Sequence, residues 1–334
     1  MNNPYIAPSS LMPSSMPMPG VFKSFVSGSE RFGQNRAFFN SELLTSGSGT
    51  GGNAKLTIYL RLYLVRRDRI EEINPRPKQD DGRDLEVVPW GTPTGIGKAY
   101  NFAEFKQKAK EHAEGFWNNT NFWLVPPPDY RGLDYPVGNP KMRPNIECKF
   151  KIVWADGRDD AHAIIDCFCP IRPRRYRPYV SHPAEGALGG HWTCYDLVAF
   201  PGDFVIPGGK ECTVNIGDPL GNMTTKTIRC DKELAHEAVC HEVGHLLGLD
   251  HVGQFLKTPA CMEELKKNSV TGNGAAACYR GPTYPDTENI MGAGDKLALW
   301  NIMPWASRVT SHTGIGLQGW RASLAKTLPP KTLR

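Results

Sequence analysis

The chain has 334 residues, of which 40% are apolar and 22% are charged, and its formal net charge is +5. This composition is typical of a globular protein with one large or two modest domains. The charge excess is too small to indicate nucleic acid as a partner, and no apolar run has the length needed to span a bilayer. We therefore expect neither a nucleic-acid partner nor a membrane span.

Residues 1–52 are poor in charge and rich in Pro, Ser and Gly. Such a composition predicts a flexible arm. A secretory signal needs a basic region followed by an apolar run, and this pattern is missing before Pro19. The arm also contains no cysteine that could bind a metal and keep an enzyme latent.

The first regular pattern is an alternation of apolar and polar residues over Ala54 to Arg67, which predicts a strand. One face of this strand consists of Leu56, Ile58, Leu60, Leu62 and Leu64. A helix is predicted over 102–117, with Asn101 as its N-cap. The apolar face of that helix consists of Phe102, Phe105, Ala109, Ala113 and Phe116.

Short apolar runs bounded by turn residues predict further strands at 122–125, 148–154, 163–168, 197–205 and 212–216, with a turn at 218–222. A strand followed by a helix and then by more strands predicts a crossover unit. We expect an α/β fold, or α+β, with a mostly parallel, twisted sheet of about five strands.

A second helix is predicted from Lys232 to Leu247, because this run lacks proline and is rich in Leu, Ala and Glu. Asp231 suits the capping position before it. Its apolar face consists of Leu234, Ala238, Val239, Val243, Leu246 and Leu247. This helix also carries His241 and His245, whose spacing of four places both imidazoles on one side.

Gly248 follows at the predicted end of this helix, where the left-handed conformation that glycine accepts lets the chain turn sharply. The turn directs His251 towards the other two histidines. Three neutral imidazoles around Zn²⁺ leave one coordination position for water, as in catalytic zinc sites. Glu242, next to the first histidine, is suited to act as the general base for that water.

The run His241 to His251, HEVGHLLGLDH, resembles the H-E-x-x-H-x-x-G-x-x-H signature of the metzincin zinc proteases. The resemblance implies a metzincin-like fold, a zinc endopeptidase that acts on protein or peptide substrates, His241, His245 and His251 as metal ligands, and Glu242 as the catalytic base. It is specific over about residues 231–292 and does not assign a subfamily.

The family also has a methionine turn beneath the metal, and the best match here is Met291, within Asn289 to Gly292. Met303 is a second candidate. The tyrosine that some branches have two residues after this methionine is replaced by Ala293. Which residue stabilises the reaction intermediate is left open.

A weaker similarity concerns residues 181–196, where Gly189, Gly190 and His191 resemble the glycine-rich loop before the edge strand of matrixin-like metzincins. Substrate added to that edge strand would explain sequence-tolerant cleavage. In the same family, an apolar stretch such as Leu297 to Trp300 forms the wall that receives a substrate side chain.

Four alternatives stay open. The acidic turn with Asp156, Asp159 and Asp160 is a candidate for Ca²⁺, and His182 with His191 is a candidate for a second Zn²⁺. The third zinc ligand can instead be a carboxylate, from Glu263 or Glu264. The chain can also be a zinc-stabilised binding or delivery module without proteolytic activity.

Nine cysteines without a C-x-x-C pair make a cysteine-ligated zinc ribbon unexpected, and the odd count requires at least one thiol outside any internal disulfide. Cys240 is the candidate for a buried free thiol. Cys261 and Cys278 bracket the segment before the methionine turn, where a disulfide would form in an oxidising compartment. Together with the protease signature, this favours a secreted or exported protein, such as an effector or toxin protease exported without a recognisable signal; a cytoplasmic location stays open.

These observations divide the chain into three parts. We predict a flexible arm over 1–52, a catalytic domain over 53–305, and a weakly basic C-terminal tail over 306–334 that either docks on the domain or is disordered.

Overall fold

The structure is a computed structural model that describes residues 23–32, 35–45, 49–79, 82–119, 121–134, 142–172, 178–181, 188–197, 204–217, 223–234, 237–268 and 276–332. Its strands are β1 Lys23–Val26, β2 Ser29–Phe32, β3 Asn35–Phe38, β4 Asn40–Leu44, β5 Ala54–Arg66, β6 Val87–Val88, β7 Phe122–Val125, β8 Met142–Arg143, β9 Ile146–Trp154, β10 Ala163–Pro170, β11 Tyr179–Ser181, β12 Leu188–Thr193, β13 Phe204–Gly217, β14 Met223–Leu234, β15 Arg321–Leu324 and β16 Lys331–Thr332. Its α-helices are α1 Phe102–Asn119, α2 Ala238–Leu246, α3 Val252–Phe255, α4 Pro259–Asn268, α5 Tyr284–Thr287 and α6 Met303–Thr313.

A mixed sheet organises the fold, with strands in the order β11-β12-β10-β5-β9-β7-β15. The four strands β12, β10, β5 and β9 are parallel, whereas β11, β7 and β15 are antiparallel to their neighbours. The predicted α/β class with a mostly parallel central sheet is confirmed. The sheet is larger than the predicted five strands, since β1, β4 and β6 bring the total to 10.

The first strand and the first helix were predicted correctly. All five apolar residues of one face of β5 are buried. The Oδ1 atom of Asn101 accepts a hydrogen bond from the backbone N–H of Glu104 at 3.0 Å, which caps α1. The parallel pairing of β5 with β9 across α1 confirms the crossover unit. Trp117, rather than Phe116, is the fully buried aromatic residue near the end of α1.

The flexible arm predicted for residues 1–52 is wrong for the described residues 23–32 and 35–45, which contain four short strands. Strand β1 pairs with β4, and β4 pairs with the first half of β5. Phe39 and Leu43 are fully buried in the core. The local composition suggests flexibility because it does not show which partners the strands have. These short strands are stabilised by pairing with strands elsewhere in the sequence. Residues 1–22 lie outside the described part of the chain.

The C-terminal tail docks on the domain, which was one of the two predicted outcomes. Strand β15 pairs with β7, and β16 pairs with β8. The side chain of Asn145 donates a hydrogen bond to the backbone carbonyl of Pro329 at 2.9 Å. The boundaries of the three predicted parts stay predictions.

The second predicted helix begins later than expected. Residues 232–234 belong to β14, which forms a long antiparallel hairpin with β13, and α2 starts only at Ala238. Asp231 therefore lies in a strand and does not cap the helix. Pairing with β13 outweighs the local helix preference of this run. The predicted strand 212–216 lies inside β13, while residues 198–203 and the turn 218–222 are outside the described residues.

Over the described ranges, every helix is either too short or too polar to cross a lipid bilayer.

Candidate metal centre

The three histidines of the signature meet at one point. The Nε2 atoms of His241 and His245 are 3.1 Å apart, those of His245 and His251 are 3.1 Å apart, and those of His241 and His251 are 3.3 Å apart. In a tetrahedral zinc site with nitrogens about 2.0–2.1 Å from the metal, neighbouring nitrogens lie about 3.3 Å apart. The triad is therefore compatible with a zinc site.

Local backbone geometry brings the third histidine to the other two. His241 and His245 project from the same side of α2, one turn apart. Gly248 follows with φ of 88°, a conformation that favours glycine, and ends the helix as predicted. The next N–H, that of Leu249, donates to the carbonyl of Gly244 at 3.0 Å, which closes the turn and returns the chain towards His251.

The hydrogen-bond partners of the Nδ1 atoms, which point away from the centre of the triad, determine which tautomer each histidine adopts. Each Nδ1 contacts a carbonyl oxygen: His241 contacts Ile290 O at 2.5 Å, His245 contacts Leu249 O at 2.8 Å, and His251 contacts Gln254 Oε1 at 3.2 Å. A carbonyl oxygen only accepts, so each Nδ1 carries the proton and each neutral ring directs the lone pair of Nε2 inwards. Three lone pairs so close together repel each other unless a cation lies between them. The donor set thus fits a metal ion.

Burial supports the same protonation state. The pKa of His245 is lowered to about 4, mainly because burial disfavours the charged imidazolium. His241 and His251 are each 1% exposed. Neutral imidazole is the form that metal ligation requires.

Glu242 lies next to the first histidine and is 5% exposed. Its pKa is raised well above the usual value, first by burial and then by the nearby carboxylate of Asp196, while the backbone N–H of Val180 donates a hydrogen bond that lowers it. Among the described residues, its Oε2 atom finds no hydrogen-bond partner. A buried carboxylate oxygen without a partner is suited to a polar ligand such as water.

Met291 lies directly beneath the helix that carries the histidines. It is fully buried, and a Cβ atom at Gly244 would overlap its Sδ atom. Its backbone carbonyl accepts a hydrogen bond from Val252 N–H at 2.9 Å, immediately after His251. Its own N–H donates to Asn289 Oδ1 at 2.9 Å. The other candidate, Met303, lies at the start of α6.

Sequence reasoning missed the aromatic neighbour of the triad. The ring of Tyr279 lies 4.1 Å from the ring of His251 and 5.5 Å from that of His241, and it is nearly parallel to the latter, at 12°. Sequence reasoning also missed Ile290, Leu249 and Gln254, whose oxygens orient the imidazoles. The oxygens of Ile290 and Leu249 belong to the backbone and carry no sequence signal, and Tyr279 is 28 residues from His251. Only Gln254 uses a side-chain oxygen, and its position three residues after His251 was the one local signal available.

The other predicted ligands lie elsewhere. Glu264 accepts a hydrogen bond from Ala277 N–H at 2.7 Å, and Glu263 pairs with Lys267 at 2.7 Å, so neither carboxylate joins the triad. Within the described residues, two groups of three donor side chains have atoms close enough for one metal ion. Neither group includes His191 or the acidic turn at 156–160, and His182 lies outside the described residues.

The edge strand differs from the expectation. Gly189, Gly190 and His191 lie within β12, which pairs with β10 on one side and with β11 on the other. The prediction of a loop before the edge strand is therefore wrong. The strand at this end of the sheet is β11, and its Val180 reaches Glu242.

The cysteine predictions are confirmed where the structure describes them. Cys261 and Cys278 form a disulfide with their Cα atoms 4.5 Å apart, which indicates an oxidising environment. Cys240 is a buried free thiol.

Comparison of the chain with protein families, with curated proteins and with solved structures finds no match. The likeness to metzincins therefore depends on the signature and on the geometry described above.

Proposed function

We propose that this protein is a zinc-dependent endopeptidase of the metzincin type, in which His241, His245 and His251 bind Zn²⁺ and Glu242 is the general base. The observation that carries the proposal is the convergence of three neutral Nε2 atoms next to a buried carboxylate. When bound, Zn²⁺ polarises the carbonyl of the scissile peptide bond and lowers the pKa of its water to about 7.

The protein residues supply positioning and proton transfer. Glu242 accepts a proton from the attacking water and then donates it to the leaving amine. Its raised pKa favours the first step, because a carboxylate buried in this way takes up a proton more readily than an exposed one. Met291 forms an apolar floor beneath the histidines.

The fold supports binding of the substrate as an extended peptide alongside β11. The described part of β11 pairs with β12 on one side and its Val180 contacts the carboxylate of Glu242. A peptide bound as an added strand would thus run past the catalytic base. Such binding uses main-chain hydrogen bonds and tolerates many sequences.

The test compares the wild type with Glu242→Ala and with the isosteric Glu242→Gln. We expect both variants to retain zinc and to lose cleavage of a denatured protein mixture by about 10² to 10⁴-fold. Glu263→Gln, a surface residue paired with Lys267, is the matched control and should cut normally. A chelator should abolish wild-type cleavage.

Equal cleavage by wild type and Glu242→Ala would contradict the assignment of the base. Zinc binding without cleavage by the wild type would instead favour a zinc-stabilised binding module.

A further inference from the structure

A second group of donor side chains lies where α1 meets the start of α2. His112 of α1, Glu237 just before α2 and Cys240 of α2 have donor atoms that all lie within 4.8 Å of one another. His112 Nε2 and Glu237 Oε2 are in hydrogen-bond contact. Consecutive residues of an α-helix project about 100° apart, so Cys240 faces away from the triad although it precedes His241.

The donor types match a zinc ion. Imidazole nitrogen, carboxylate oxygen and thiolate sulfur are the three kinds of ligand that Zn²⁺ binds in proteins. Donors around a tetrahedral zinc lie about 3.3–3.8 Å apart, so separations below 4.8 Å need only small side-chain movements. The thiolate sulfur of Cys240 is a softer ligand than the oxygens that Ca²⁺ and Mg²⁺ prefer, so it disfavours these two ions.

Exposure gives an ion access to this group. The side chains of His112 and Glu237 are 34% and 22% exposed, whereas Cys240 is fully buried. An ion can therefore enter from solvent between the imidazole and the carboxylate and reach the thiol behind them.

We propose that His112, Glu237 and Cys240 form a second zinc site, separate from the histidine triad, that links α1 to the start of α2. Binding replaces the His112–Glu237 hydrogen bond with two metal bonds, so the proton on His112 Nε2 moves to Nδ1 of a neutral ring or leaves to solvent from an imidazolium. The Cys240 thiol releases its proton to solvent and becomes a thiolate. The carboxylate and the thiolate neutralise the charge of the ion. This site is independent of the proposed proteolysis, since it shares no ligand with the triad.

Cobalt titration of the metal-free, full-length protein tests the proposal. A cobalt ion bound to sulfur absorbs in the near ultraviolet, and the triad offers only nitrogen. We expect two Co²⁺ per chain and a thiolate absorption in the wild type. Cys240→Ser should lose the absorption and one Co²⁺. His112→Ala and Glu237→Gln should weaken the sulfur-bound Co²⁺ by more than the roughly 10-fold typical of losing an outer partner.

Control variants separate this site from other thiols and from the triad. Cys148→Ser removes another buried free thiol, and Glu111→Gln removes an exposed carboxylate of α1; both should retain two Co²⁺. His245→Ala should lose the nitrogen site yet keep the thiolate absorption. If Cys240→Ser does not fold, the partly exposed His112 and Glu237 variants give the same readout.

One Co²⁺ per chain without thiolate absorption in the wild type would overturn the proposal. Absorption that persists in Cys240→Ser would overturn it as well. Neither result depends on cleavage, so failure of this site is distinguishable from failure of the proposed protease.

Discussion

Tyr279 illustrates how single residues act at the candidate centre. Its ring covers one side of two imidazoles, and such contact restricts the orientations of the ligand rings. The histidines are thus held from two directions, by carbonyl oxygens at Nδ1 and by an aromatic face. A preorganised set of ligands binds a metal more tightly than a mobile one.

We expect Tyr279→Ala to weaken zinc binding about 10-fold, because the rings lose this support. Tyr279→Phe keeps the ring and should bind zinc as the wild type does. Competition with a chelating indicator measures both affinities. An equal loss in the two variants would assign the effect to the hydroxyl group instead, and no loss in Tyr279→Ala would contradict a positioning role.

At the scale of elements, the short 3-10 turn Ala276–Tyr279 is anchored to α4 at two places. The disulfide joins Cys278 to Cys261, and Glu264 accepts a hydrogen bond from Ala277 N–H. The residue that follows Cys278 is Tyr279, so the disulfide holds the turn that presents the aromatic ring to the histidines. The disulfide thereby stabilises the position of the Tyr279 ring against the histidine rings.

Replacing both Cys261 and Cys278 with Ala should lower the free energy of unfolding by about 3 kcal/mol, as expected for a disulfide across a sequence separation of 17. Urea unfolding with and without a thiol reductant measures the effect. The reductant should shift the midpoint of the wild type and leave the double variant unchanged. An unchanged wild-type midpoint would mean that the disulfide contributes little to stability.

At the scale of the whole molecule, Arg308 links α6 to residues that precede β5. It is 2% exposed in α6, donates hydrogen bonds to Gly28 O at 2.9 Å and Phe39 O at 2.7 Å, and pairs with Glu30 at 3.4 Å. Its guanidinium also lies over the ring of Phe39, 4.6 Å from the centroid. The strands that precede β5 are thus fastened to a helix near the C-terminus.

We expect Arg308→Met to lower the free energy of unfolding by about 3 kcal/mol, since two carbonyls and one carboxylate lose a buried cationic partner. Arg321→Met, at an exposed position of β15, is the matched control and should change stability little. Chemical unfolding of both variants provides the comparison. Equal stability of the two would show that the N-terminal strands dock without this residue.

Several features could be predicted because their causes are local. The alternation in Ala54 to Arg66 and the capping by Asn101 depend on neighbours in sequence, and so do the histidine spacing and the turn at Gly248. The predictions were wrong where contacts with residues distant in sequence determine the secondary structure. Helix α2 starts later than predicted because β14 pairs with β13, and residues 40–44 form a strand because β4 pairs with β5.

The sequence by itself determined the chemistry of the candidate centre: which three imidazoles, which carboxylate and which turn, all within eleven consecutive residues. Tertiary structure decided the surroundings, namely the order of the sheet, the aromatic cover from Tyr279, the apolar floor at Met291 and the second donor group between α1 and α2. Helix periodicity and glycine conformation act over a few residues and are visible in a pattern. Contacts between segments tens or hundreds of residues apart depend on how the whole chain packs, which no local pattern contains.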